Sequence, residues 1–259
     1  MGTVTTDGGQ PVSYVDHGGD GPAVVLLHSF LMDATMWAPQ VEAFGDAFRL
    51  IAVDERGHGQ TPANGPFDHW DVAKDVLAVL DDLGIASAAV VGTSQGGFVA
   101  LRMALLAPQR VTALGLLGTS AEPEDEQIAA AYHQLAEVWI AQGPDTVIDA
   151  VAKICLGDYD ASEWTAKWRE IEGERLRLIM NALVDREGVL VRLGEIRQPA
   201  LVLHGTADVA YAVARAEEIV AALPNAEPLV TVEDGAHFLS LTHADDVNPH
   251  LRRFLSAHL

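Results

Sequence analysis

Cysteine is almost missing from this chain: Cys155 is the only one among 259 residues. A disulfide within the chain is therefore excluded, and a cysteine-built metal site lacks its ligands. Basic side chains are scarce as well. Sixteen Lys and Arg stand against 37 Asp and Glu, a formal net charge of −21. Phosphate backbones are bound by basic surfaces, so this balance argues against nucleic acid as a partner. It disfavours an anionic membrane surface for the same reason. No apolar run reaches the roughly 20 residues that span a bilayer. The start, Met1-Gly2-Thr3-Val4-Thr5-Thr6-Asp7-Gly8, has no basic stretch followed by an apolar core, so no signal peptide is expected. A cytoplasmic location is the resulting expectation.

What is present is a large apolar fraction. Hydrophobic residues make up 49% of the chain and charged residues 20%, with no low-complexity block. That composition belongs to a globular protein with one sizeable core. Short apolar runs suited to strands buried on both faces are Ala23–Leu27, Phe48–Val53, Ala88–Val91, Val111–Leu117 and Ala200–His204. Val12–Asp16 and Pro228–Val232 read as further strands. Helical spacing separates them, at Met36–Phe44, Asp68–Leu83, Phe98–Ala107, Val213–Leu223 and Val247–His258. Alternating strands and helices of this kind predict an α/β fold, a mostly parallel sheet with helices on both faces.

Between Glu122 and Leu193 the strand signal disappears. Helices are expected at Glu124–Gln142, Asp145–Ile154, Ser162–Ile171 and Glu174–Val184, with breaks at Gly143-Pro144 and Gly157-Asp158. Residues 122–193 thus read as an inserted helical cap, and 1–121 with 194–259 as the core. The insertion holds three of the five tryptophans, Trp139, Trp164 and Trp168. With Trp37 they are candidates for a pocket wall, although tryptophan at helical spacing also packs inward in any helical subdomain.

Gly92-Thr93-Ser94-Gln95-Gly96 matches Gly-x-Ser-x-Gly. The motif is short, but an apolar strand precedes it and an apolar helix follows, the setting in which a serine on a sharp turn becomes a nucleophile. Side chains two residues before and after such a serine would collide, so glycine belongs there. The helix start also directs N–H groups and a positive dipole end at a developing oxyanion. Serine needs a base to take its proton. Sites in open α/β sheets lie at the carboxyl ends of strands, and His237 follows the last predicted strand. His28, His204 and His58 lie closer to strand ends and turns, where they satisfy local backbone groups. Asp208, after the Ala200–His204 strand, is the expected acid. Glu122 and Asp234 are its rivals. An oxyanion hole is expected from the backbone N–H groups of Gln95 and Phe30.

These residues carry a resemblance. His28-Ser29-Phe30-Leu31-Met32-Asp33 with Met36-Trp37, Asp54-Glu55-Arg56-Gly57-His58-Gly59, Gly92–Gly97, Gly205–Asp208 and Gly235-Ala236-His237 resemble the α/β-hydrolase superfamily over nearly the full chain. Residues 1–120 are most similar to the group of 3-oxoadipate enol-lactonases, small bacterial esterases and cofactor-free haloperoxidases. The resemblance implies an eight-stranded sheet with the helical cap inserted after the sixth strand, the triad Ser94, Asp208 and His237, and hydrolysis of a small ester or lactone through an acyl-enzyme, with no metal and no cofactor. A serine nucleophile argues against the haloalkane dehalogenase and epoxide hydrolase members, which work through an aspartyl ester. There are departures. Ser29 replaces a usual Gly, Gln95 a common Met, and Leu31 stands where perhydrolytic members carry Pro. Asp208-Val209-Ala210-Tyr211 lacks a frequent Pro. An amidase, a carbon–carbon bond hydrolase and a low-turnover small-ligand receptor remain alternatives. Arg169, Arg175 or Arg177 are candidates to hold a substrate carboxylate, and a homodimer is compatible with the chain.

Overall fold

The apolar runs do become the strands. A computed structural model describes residues 1–259. Its strands are β1 (Gly2–Thr5), β2 (Pro11–Asp16), β3 (Ala23–Leu27), β4 (Arg49–Val53), β5 (Ala88–Thr93), β6 (Val111–Leu117), β7 (Ala200–Gly205) and β8 (Val230–Val232). They form one eight-stranded sheet in the order β1-β2-β4-β3-β5-β6-β7-β8. β2 runs antiparallel to both β1 and β4, and every other pairing is parallel. The expected fold class is the observed one.

The central strands are buried on both faces, and the two-residue alternation of strand side chains sorts them. Val24, Leu26, Leu50 and Ala52 belong to one hydrophobic cluster. Val25, Leu27, Ile51 and Val53 belong to the other. The first face is covered by α1 (Ala38–Phe44) and a long terminal helix (Ala244–His258). The second is covered by α2 (His69–Asp82), α3 (Gln95–Leu106) and a helix over Val213–Ala222. α2 starts on a reciprocal capping box between Asp68 and Asp71.

Between β6 and β7 stand four helices, α4 (Glu126–Gln142), α5 (Ile148–Leu156), α6 (Ser162–Arg169) and α7 (Gly173–Val184), with no strand among them. The rest of the chain adds α8 (Val213–Ala222), α9 (Leu239–Thr242) and α10 (Ala244–His258). The buried residues of α4–α7 share one cluster with the α1–α10 face of the sheet. Polar contacts seat them on the core. Trp168 Nε1 donates to the Leu31 carbonyl at 2.8 Å, Lys167 reaches Asp33 at 3.0 Å, and Arg175 donates to the carbonyls of Gly57 and Gly59. No helix is long and apolar enough to cross a membrane.

Local differences from the expected boundaries have physical reasons. β1 carries no apolar signal because it is a half-exposed edge strand. The β8 strand covers three residues rather than five, since only Val230–Val232 pair with β7. α3 begins at Gln95 rather than Phe98: the turn at Ser94 launches the helix directly, and Gly96 and Gly97 are carried in its first turn despite their poor propensity.

Trp168→Phe keeps the buried ring and leaves the Leu31 carbonyl without its donor. We expect a stability loss of about 1–2 kcal/mol, read from the urea unfolding midpoint; a wild-type midpoint would mean that the bond contributes nothing.

Candidate active site

The site grows from the turn between β5 and α3. Ser94 holds φ +50°, a left-handed conformation that few non-glycine residues adopt. The turn is tolerated because its flanks are bare. A Cβ on Gly92 would lie 2.2 Å from the backbone of Gly96. One on Gly96 would lie 2.1 Å from the Leu27 carbonyl oxygen at the end of β3. The turn is pinned from the β6 side as well: the Ser94 N–H donates to the Leu117 carbonyl at 2.8 Å, and the Thr119 hydroxyl donates to the Ser94 carbonyl at 2.7 Å.

The structure brings Ser94, His237 and Asp208 together. The Ser94 hydroxyl donates to His237 Nε2 at 2.8 Å, and His237 Nδ1 donates to Asp208 Oδ2 at 2.7 Å. With its N–H committed to a carboxylate, Nε2 keeps the lone pair that faces the serine. The Asp208 side chain is fully buried. Its Oδ1 accepts from the N–H groups of Ala210 at 2.8 Å and Tyr211 at 2.9 Å. Burial by itself raises a carboxyl, but the adjacent His237 and these bonds outweigh it, and Asp208 is held below the usual carboxylate range. Glu122 and Asp234 make no contact with His237. Asp234 sits exposed, its backbone N–H on the Thr206 hydroxyl.

The other strand-end histidines do backbone work. His28 Nδ1 bonds the Ser29 carbonyl, while its Nε2 accepts from the Glu55 N–H. His204 Nε2 donates to the Tyr211 carbonyl. The N–H groups of Phe30 and Gln95, after β3 and Ser94 respectively, donate to no protein group. No cluster of His, Cys, Asp and Glu side chains is arranged to hold a metal ion.

Above Ser94 lies a cavity of about 50 Å³, lined by thirteen residues of which eleven are hydrophobic. Phe30, Ser94 and His237 form its floor. Tyr132 and Leu135 from α4, Val151, Ile154 and Cys155 from α5, and Met180 and Leu183 from α7 form the walls. Burial, then Asp208, pushes the Cys155 thiol up to about 12, so it stands there protonated, as an apolar wall.

Two sequence-based expectations are corrected here. None of Trp37, Trp139, Trp164 and Trp168 lines the cavity. All four are buried in the main cluster, where their large rings fill space between the helices and the sheet. Nor do Arg169, Arg175 and Arg177 face it. Arg169 pairs with Asp145 and Arg177 with Glu137 and Glu174 at the surface, while Arg175 grips the Gly57–Gly59 turn. The residue sequence reasoning missed is Tyr211. Its ring meets His237 edge-on at 5.3 Å. Its hydroxyl donates to Glu124 at 3.0 Å and accepts from Arg186 at 3.1 Å. Glu124 and Arg186 are themselves a buried ion pair at 3.1 Å, so the segment that carries Asp208 is tied to both ends of the inserted helices. Only the missing proline near Asp208 hinted at this position.

Comparison with known proteins agrees with the geometry. Residues 22–146 match the family model described as the alpha/beta hydrolase fold. A Pseudomonas putida dihydrolipoyllysine-residue acetyltransferase component of an acetoin cleaving system is 32% identical over 97% of this chain and 68% of that protein. A pimeloyl-[acyl-carrier protein] methyl ester esterase from Xanthomonas campestris is 31% identical over 94% of this chain and 99% of its own. The enol-lactonase structure from Burkholderia xenovorans superposes with a TM-score of 0.88 at 26% identity, covering 98% of this chain and all of that one.

Gly96→Ala drives a methyl group into the β3 carbonyls. We expect a loss of about 3 kcal/mol or more, measured by urea unfolding; a variant as stable as the wild type would refute the steric account of the turn.

Proposed function

The chain belongs to the α/β-hydrolase fold family, and on that premise we propose that it is a serine hydrolase of carboxylic esters with short, uncharged, apolar acyl groups. The observation that carries the reading is the continuous chain of hydrogen bonds from Ser94 through His237 to Asp208, opening onto an apolar cavity.

The chemistry follows from those contacts. Ser94 Oγ attacks the ester carbonyl carbon as His237 Nε2 takes the hydroxyl proton. The carbonyl electron pair moves to oxygen, where the N–H groups of Phe30 and Gln95 receive it, a contribution usually among the largest in acyl transfer. The tetrahedral adduct collapses, the alkoxide leaves with the proton from His237, and an acyl-Ser94 ester remains. Water repeats the sequence, losing a proton to His237, and releases the acid and the free serine. Asp208 keeps the imidazole in the tautomer that can accept on Nε2 and stabilises the imidazolium.

The cavity supports the acyl preference. Its volume of about 50 Å³ holds roughly four groups of water or methyl size. No Lys or Arg lines it, so a carboxylate on the acyl chain would be buried without a partner. A lactone of similar size fits the same chemistry, in line with the enol-lactonase neighbour.

The test is a series of p-nitrophenyl esters with wild type and Ser94→Ala. Steady turnover of acetate and butyrate is expected, lost in the variant by about a thousandfold or more. From butyrate to octanoate, four methylenes longer, kcat/KM should fall by roughly ten-thousandfold, since each methylene without room costs about a factor of ten. An active Ser94→Ala variant overturns the mechanism, and faster hydrolysis of octanoate overturns the acyl assignment.

A further inference from the structure

Against the Gln95 side chain lies a carboxyl that the proposed mechanism does not use. Glu55 opens the turn after β4 and is 1% exposed. Its Oε2 accepts from Gln95 Nε2 at 2.8 Å, and its Oε1 has no partner. Gln95 is equally buried, so this bond fixes the side chain of the residue whose N–H points at the developing oxyanion.

The surroundings offer the carboxyl no cation at close range. Arg56, next in the chain, turns away to Asp75 at 2.5 and 2.9 Å, and Arg175 is committed to the Gly57 and Gly59 carbonyls. His28 from the loop after β3 and Gln95 from α3 act on the Glu55 carboxyl, and His58 of the same turn donates its backbone N–H to the Glu55 carbonyl. His58 packs on His28 with ring centroids 5.0 Å apart and binds the Arg56 carbonyl through Nδ1. His69 of α2 stands against Gln95 with neither ring nitrogen partnered. Burial keeps His58 and His69 neutral, far below the usual histidine range. A buried carboxylate with one oxygen unpaired is costly, and desolvation pushes Glu55 up to about 7 despite His28 and the Gln95 bond.

We propose that Glu55 is a positioning residue of the oxyanion hole: in its neutral form it holds Gln95 in place, and its ionisation puts a buried negative charge behind the hole and weakens it. This rests on the Ser94 mechanism above. Protonation at Oε1, the oxygen without a donor, leaves the bond from Gln95 to Oε2 intact. The neutral form is therefore fully competent. The ionised form keeps the geometry but opposes the charge that develops on the substrate oxygen. The acid is the productive form, so activity is present below its titration and lost as pH rises through it. The loss falls on kcat, because the oxyanion exists only after the ground state.

The experiment measures kcat and KM for p-nitrophenyl acetate from pH 5.5 to 9 in wild type, Glu55→Gln and Glu55→Ala, with Ser94→Ala as the control. Wild-type kcat should fall on the order of tenfold across neutral pH at constant KM, the scale of one unit charge acting on another about 12 Å away at an effective dielectric constant of about 20. Glu55→Gln, neutral at every pH and still an acceptor for Gln95, should lose that alkaline decline and match the wild-type value at low pH. Glu55→Ala should show a lower kcat at every pH; if it fails to fold, the glutamine variant carries the test. Infrared difference spectra should show a protonated carboxyl band near pH 6 that is absent from Glu55→Gln. An unchanged alkaline decline in Glu55→Gln, or a wild type faster than that variant at pH 8.5, overturns the proposal while the Ser94 mechanism stands. Full turnover by Ser94→Ala overturns both.

Discussion

Ser94 holds a left-handed backbone conformation at a place where neither flank two residues away has room for a Cβ. That close approach of backbone to backbone is the constraint on which the rest of the site depends. It brings the start of α3 against the end of β3, so that the Gln95 and Phe30 N–H groups come from neighbouring strands of the sheet. β5 and β3 pair in parallel, Leu27 opposite Gly92, and the register carries both loops to the same edge. Had either glycine a side chain, the two loops would separate and the N–H groups with them. Strain at the nucleophile is sustained because the central strands are buried on both faces and cannot relax.

The acid and base arrive from the other half of the sheet. β7 pairs with β6 and β8 with β7, in parallel, so the segments after them open at the same edge as Ser94. Two backbone N–H groups and His237 satisfy the buried Asp208 carboxylate, which lets it remain ionised there. The inserted helices are bound into this arrangement rather than resting on it. Glu124 and Arg186, at the ends of the insertion, hold the Tyr211 hydroxyl, and the Cys155 carbonyl accepts from the Phe238 N–H next to His237. A buried ion pair contributes little stability by itself; its value here is geometric, since it fixes the wall of the cavity relative to the imidazole.

The walls are apolar because α4, α5 and α7 turn side chains such as Leu135, Ile154 and Met180 into the cavity, while Trp139 of α4 and both tryptophans of α6 are buried elsewhere. Trp168 is wholly buried, its N–H on the Leu31 carbonyl, one residue past Phe30. The largest rings thus serve as supports behind the loop with the free N–H, and the cavity in front of it stays small. Surface arginines of the same helices are neutralised by neighbouring acids, as expected for a chain so rich in Asp and Glu.

Residue order and local pattern were enough to determine the strand–helix alternation, the sharp turn at Ser94, and the strand ends after which His237 and Asp208 fall. Each is a short-range property: apolar runs mark buried strands, and glycine spacing marks a turn without room. The edge strand Gly2–Thr5 escaped because a half-exposed strand carries no such signal. Only the tertiary structure decided that Asp208 and not Glu122 lies behind His237, that the tryptophans support the cavity rather than line it, and that Glu55 holds the Gln95 side chain with its other oxygen unpartnered. Those are matters of which side chains meet across 29 or more positions of chain, and a linear pattern of polar and apolar residues does not record which way a helix is rotated or what a buried carboxyl faces.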